Sequence, residues 1–124
     1  MAIFPFEPLT ACALTLACIG GPAHPADASI ALSTLDAGGR SGAVVLQCDP
    51  AGGTHPHAKS ACDALTGAEG DLSRVTPKDV ACTLEYAPVE ARAFGTWKGE
   101  QVDFRTTYPN RCAADAHSGG VFGF

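Results

Sequence analysis

The chain has 124 residues, of which 46% are hydrophobic and 17% charged, and it carries a net charge of −5. That length suits one domain, and that apolar share points to a folded core rather than disorder. The acidic balance excludes a nucleic-acid surface, which needs clustered Lys and Arg.

All eight basic residues lie at Arg40 or later, so the N-terminal part differs in kind from the rest. Residues 9–21 form an apolar run of small side chains, followed by Pro22, Pro25 and the small-x-small triplet Ala26-Asp27-Ala28. This order predicts a secretory signal peptide over residues 1–28, a domain over residues 29–124, and a secreted, extracellular protein. Residues 1–8 hold Glu7 and no positive charge, a departure that keeps a plain N-terminal extension as the alternative. The run is too short to cross a bilayer as a helix, so no membrane partner is expected. Of the six cysteines, Cys12 and Cys18 would leave with a signal peptide. Cys48, Cys62, Cys82 and Cys112 would remain, and four cysteines allow three pairings.

Residues 28–35 alternate through Ile30 and Leu32 to Leu35, and Asp36-Ala37-Gly38-Gly39 has the composition of a turn. Residues 43–48 form a second strand, so the pair is predicted as a hairpin. The Gly/Pro-rich residues 49–56 are predicted as a loop. Residues 59–66 suit a short helix with Ala61, Cys62 and Leu65 on one side and Gly67 as its stop, and residues 71–75 suit a further helical turn. Residues 76–81 are polar and irregular in pattern. Strands are predicted over residues 86–94 and 101–108, with Gly95, Trp97 and Gly99 at the bend between them. Residues 110–116 suit a second helix, and Val121-Phe122-Gly123-Phe124 is predicted as an edge strand. The sum is an α+β fold: about five antiparallel strands, two short helices packed on one face, and disulfide staples.

His55 and His57, with His24 or His117, raise a metal site, but His55-Pro56-His57 lies on a Gly/Pro loop without a carboxylate pair and is predicted as surface. No metal or other cofactor is expected. Ser60 or Ser118 with a histidine raises a hydrolase, yet no G-x-S-x-G occurs, so an enzyme is not expected. Trp97 is predicted to pack over the sheet rather than to line a ligand pocket.

The most informative stretch is Ala81-Cys82-Thr83-Leu84-Glu85-Tyr86-Ala87-Pro88. A protein that blocks a protease needs an exposed, extended segment already held rigid, so that ordering costs little on binding. Cys82 offers a disulfide anchor on one flank. Pro88 fixes its own φ and biases Ala87 to extended backbone on the other. Leu84 is then an apolar side chain free to fill a hydrophobic pocket, although a strand entrance would share these features.

Four signatures carry a resemblance. They are Gly52-Gly53-Thr54-His55-Pro56, then Ser60-Ala61-Cys62-Asp63-Ala64-Leu65, then Asp79-Val80-Ala81-Cys82 through Tyr86-Ala87-Pro88-Val89. The last runs from Gly95-Thr96-Trp97-Lys98-Gly99 through Asn110-Arg111-Cys112 to the closing Ala116-His117-Ser118-Gly119-Gly120-Val121-Phe122-Gly123-Phe124. In this order and spacing the chain resembles the Streptomyces subtilisin inhibitor family. Residues 81–86 with Pro88 are also similar to the reactive loop of avian ovomucoid Kazal domains, and both likenesses give the same register.

The resemblance implies an inhibitor of serine endopeptidases, subtilisin-like and chymotrypsin-like, whose scissile bond is Leu84–Glu85. Leu84 would be P1 and Glu85 P1′, with Ala81, Cys82, Thr83, Tyr86, Ala87 and Pro88 as the remaining protease-contact loop. It further implies the bridges Cys48–Cys62 and Cys82–Cys112, Asn110 as the side chain supporting the loop, and a homodimer. The family often has Pro at P2 and an apolar P1′, where this chain has Thr83 and Glu85. Those departures keep a secreted, non-inhibitory binding or structural domain of the same fold as the alternative.

Overall fold

The structure is a computed structural model that describes residues 25–124. The apolar run at residues 9–21, Cys12, Cys18 and His24 lie outside the described residues.

Five antiparallel strands make one sheet: β1 (Ala28–Asp36), β2 (Ser41–Cys48), β3 (Gly52–Gly53), β4 (Val89–Trp97) and β5 (Glu100–Tyr108), in the order β3-β2-β1-β4-β5. β1 is central and pairs along its length with both β2 and β4. Because strand side chains alternate between faces, Ala28, Ile30 and Leu32 of β1 point inward beside Leu46 and Cys48 of β2 and Ala91 and Ala93 of β4. Ala28 and Asp27 belong to the fold: Ala28 is buried, and the Asp27 carbonyl accepts from the Lys98 N–H at 2.9 Å.

Both helices cover the inner face. α1 (Ala58–Gly67) buries Ala61, Cys62 and Leu65, one side of its cylinder. The Cys48–Cys62 disulfide ties it to the end of β2. α2 (Arg111–His117) turns Ala113, Ala114 and Ala116 inward, small side chains that let a short helix lie close to β4 and β5. A single 3₁₀ turn (Leu72–Arg74) links the two halves, with the Asp71 carboxylate accepting from the Ser73 N–H.

Four sequence expectations are corrected. Residues 121–124 are not an edge strand. Gly119 and Gly120 take positive φ and reverse the chain onto α2, so Val121 and Phe122 become core side chains, with Phe122 stacked on Phe104 at 6.4 Å. The fifth strand is instead β3, inside the expected loop, where Gly52 and Gly53 pair with Gln47 and Leu46. His55 is not a surface residue but is buried. Its Nε2 lies 2.9 Å from the Val121 carbonyl and its Nδ1 accepts from the His57 N–H, so both ring nitrogens are satisfied and the ring pins the C-terminal segment. His57 is exposed. Strand β4 also starts later than residue 86, because Pro88 has no N–H to give to a ladder.

Trp97 is buried against the turn after α1, where Gly70 has φ +82° and a Cβ would enter the indole ring. Gly70→Ala is therefore expected to cost about 2–4 kcal/mol from left-handed strain and overpacking. Gly67→Ala, at the open end of α1, should be neutral or slightly stabilising. Urea unfolding of both variants checks the contrast.

Candidate functional site

Between the 3₁₀ turn and β4 the chain runs from Val75 to Pro88 without regular structure. Its outer part is almost bare: Leu84 is 99% exposed and Tyr86 80%, the highest values among the large apolar side chains of the described residues. Scattered exposed apolar residues are ordinary, but a fully bare Leu on a segment held at several points is not explained by packing.

The holding groups come from α2 and its approach. Asn110 is 4% exposed and its side chain serves two ends. Its Oδ1 accepts from the Ala113 N–H at 2.8 Å, capping α2 as Asn does well at that position. Its Nδ2 donates to the Thr83 carbonyl at 3.1 Å and to the Glu85 carbonyl at 2.8 Å, the two carbonyls flanking Leu84. Two residues on, the Cys82–Cys112 disulfide fastens the chain two residues before Leu84 to the same helix.

Further ties hold the two approaches. On the N-terminal side the Lys78 N–H donates to the Ala116 carbonyl at 2.8 Å, and the Lys78 ammonium pairs with Asp115 at 2.7 Å. On the C-terminal side the Ala87 N–H donates to the Pro109 carbonyl at 2.8 Å, and the Pro88 carbonyl accepts from the Ala37 N–H of the β1–β2 turn at 3.1 Å. The loop thus spans a cleft of about 250 Å³ lined by Cys82, Leu84, Tyr86, Pro109, Ala113 and His117.

The structure therefore places residues 81–88 together as one outward loop, with Asn110 beneath it. Lys78, Asp115, Pro109 and the β1–β2 turn were not foreseen. The Asp-Ala-Gly-Gly text marks a turn, yet nothing local announces its contact with Pro88.

Electrostatically, hydrogen bonding from the Arg40 backbone N–H is the largest cause holding the Asp36 carboxyl below its ordinary range. Burial is the next largest effect and opposes it, while the Arg111 guanidinium and the Gly38 N–H lower the carboxyl further. Burial pushes the Tyr108 phenol above its ordinary value.

None of this supplies a nucleophile. Ser118 Oγ is buried and donates to the Ala114 carbonyl at 2.6 Å, while Ser60 Oγ donates to the His57 carbonyl. Among the described residues no three His, Cys, Asp or Glu side chains gather to hold a metal, and no helix is long and apolar enough to cross a membrane. What the geometry can do is present an extended peptide, with the backbone around Leu84 clamped, to another molecule.

Comparison with known proteins agrees with the fold. The family described as subtilisin inhibitor-like matches residues 27–110. A subtilase-type protease inhibitor of Streptomyces coelicolor is 45% identical over 84 residues, which are 66% of this chain and 58% of that protein. Subtilisin inhibitor-like protein 3 of the same organism is 45% identical over 84 residues, 66% of this chain and 78% of its own length. The chain thus spans little more than half of the first of these relatives. Among solved structures, sermetstatin of Streptomyces caespitosus, crystallised in complex with Bacillus licheniformis subtilisin, superposes with a TM-score of 0.59 at 27% identity. The superposition covers 78% of this chain and 96% of that one. With its five-stranded antiparallel sheet, two helices and two disulfides, this chain belongs to the subtilisin inhibitor-like family.

Proposed function

We propose that the protein is a secreted, substrate-like inhibitor of serine endopeptidases that offers Leu84–Glu85 as its scissile bond. One observation carries the reading: a side chain 99% exposed sits between two carbonyls clamped by a single buried amide. The names of the relatives and the subtilisin bound to the structural neighbour support the partner class.

The mechanism follows from stiffness. A protease serine attacks the Leu84 carbonyl carbon; the C–N bond to Glu85 breaks as the serine's proton passes to the departing amine. If the amine stays beside the acyl-enzyme, it re-forms the peptide faster than water cleaves the ester, because its effective concentration is high. Leu84 at P1 suits the hydrophobic pockets of subtilisin-like and chymotrypsin-like enzymes. A trypsin pocket carries a carboxylate that Leu84 would leave unpaired.

Secretion is part of the proposal, and two disulfides suit an oxidising compartment. The mature start falls ahead of Ala28, whose buried side chain opens β1. Pairing of two copies through the outer sheet face is also proposed. Arg92 and Arg105 stand directly opposite across β4 and β5, and among the described residues neither makes an ion pair. Like charges so placed are unfavourable in an isolated sheet. A two-fold partner would bring Glu90 and Asp103 of its own outer face to them and would cover Phe94, which is 46% exposed.

Leu84→Lys is expected to move inhibition from subtilisin toward trypsin; an unchanged target profile would show that another residue is P1. Asn110→Asp keeps an acceptor for α2 but gives no donor to the loop. It should weaken inhibition by about tenfold or more, from loss of two hydrogen bonds, and speed cleavage at Leu84–Glu85 in a timed digest. Phe94→Asp should shift the protein toward monomer in sedimentation equilibrium while leaving inhibition per chain intact.

A further inference from the structure

The β1–β2 turn is remote in sequence from the loop, yet it touches the loop's C-terminal flank. Its Ala37 N–H donates to the Pro88 carbonyl, and Ala37 to Arg40 wall a groove with Glu85, Ala87, Asn110 and Arg111. Asp36 shapes this turn. Its Oδ1 accepts from the Gly38 N–H at 3.0 Å and the Arg40 N–H at 2.8 Å, and its backbone N–H donates to the Arg40 carbonyl. Its Oδ2 accepts from Arg111 Nη2 at 3.1 Å and lies 3.5 Å from Arg40 Nε. Arg111 is the first residue of α2 and the immediate neighbour of Asn110.

One carboxylate therefore joins the two bodies that hold the primed side: the turn gripping Pro88 and the start of the helix that grips Glu85. The Asp36 side chain is only 14% exposed, and its bonds are charge-assisted, the stronger kind. The same hydrogen bonds that hold its carboxyl below the ordinary range fix the turn in place.

We infer that Asp36 is a positioning residue for re-forming the Leu84–Glu85 bond, holding the turn and Arg111 together so that the freed Glu85 amine stays beside the acyl-enzyme. It touches neither reacting atom and acts through Ala37, Pro88, Arg111 and Asn110. The inference rests on the inhibitory reading and deepens it: the disulfide and Asn110 hold the unprimed side, β4 carries the primed side, and this carboxylate sets the fine placement of the primed end.

Asp71 supplies a matched control. It makes the same kind of side-chain bond to a backbone N–H two residues on, and its hydrogen-bond partner is Ser73, outside the loop. Wild type, Asp36→Ala, Asp36→Asn, Arg111→Gln and Asp71→Ala would each be incubated with catalytic subtilisin. Clipped and intact chains would be counted by mass spectrometry after reduction, and melting temperatures recorded alongside.

Asp36→Ala should be clipped at Leu84–Glu85 about tenfold faster than wild type, the scale on which small misplacements of reacting groups are felt. Asp71→Ala should be clipped at the wild-type rate even where its melting temperature falls as far. Asp36→Asn keeps a short acceptor for the turn and should lie between, and Arg111→Gln, which severs only the link to α2, should also be clipped faster. Equal clipping of Asp36→Ala and Asp71→Ala, or wild-type behaviour of both Asp36→Asn and Arg111→Gln, would overturn the inference while inhibition itself stood. A wild-type protein that subtilisin digests at once or ignores would overturn the inhibitory reading and this one with it.

Discussion

The constraint on which the site depends is the burial of one amide. Asn110 is nearly removed from solvent, so each of its polar atoms needs a partner inside the protein, and an unmet group would cost on the order of 1–3 kcal/mol. The acceptor is met by the first turn of α2 and the donor by two carbonyls of the loop. The helix cap and the loop brace are thus a single satisfied network, and neither can loosen without exposing the other. This explains how a loop with no regular structure can keep a bare Leu84 in one place: its order is borrowed from the helix terminus.

The fold was legible where side-chain chemistry repeats along the chain. The alternation in β1 and β4, the Asp-Ala-Gly-Gly turn, and the small apolar side of α1 all follow from local period and turn composition. It was not legible where backbone alone acts. Strand β3 is two glycines whose pairing with β2 leaves no side-chain signature. Val121-Phe122-Gly123-Phe124 alternates like a strand, but the two glycines before it reverse the chain, and tertiary burial overrides the local pattern. His55 looked like a surface histidine because its partner, the Val121 carbonyl, comes from 66 residues away. For the site, the register of the loop and the role of Asn110 came from family likeness, while Asp36–Arg111 joins residues 75 apart with no sequence sign.

The two disulfides do different work. Cys48–Cys62 joins residues 14 apart and fastens α1 to the end of β2, a contribution to stability of about 3 kcal/mol by chain entropy. Cys82–Cys112 spans 30 residues and joins the loop to the helix that carries Asn110. Its value is topological as well as entropic. Were the bond after Leu84 cut, the new amine end would stay on β4 through Tyr86, Ala87 and Pro88, and β4 is paired along its length on both sides. The new acyl end has no such strand. It would hang from Val75 by a segment without regular structure, and it is returned to α2 by Cys82, by the Thr83 carbonyl on Asn110 and, behind them, by Lys78.

A loop built this way is asymmetric, and the asymmetry matches the chemistry proposed for it. The acyl side, having no sheet to lean on, is restrained by a covalent bridge two residues from the reacting carbon. The amine side, already carried by the sheet, needs only finer placement, supplied by hydrogen bonds from Asn110 and the Ala37 N–H and by the Ala87 N–H donating to the Pro109 carbonyl. The ties of Cys82, Thr83, Glu85 and Ala87 all converge on residues 109–112, so the two severed ends would face each other across a single helix start. Separating them would require melting the first turn of α2, which buries Ala113 and Ala114 in the core. Loss of the primed fragment is thereby opposed by the core packing of α2, while the exact placement of its new end rests on the local contacts around Asp36.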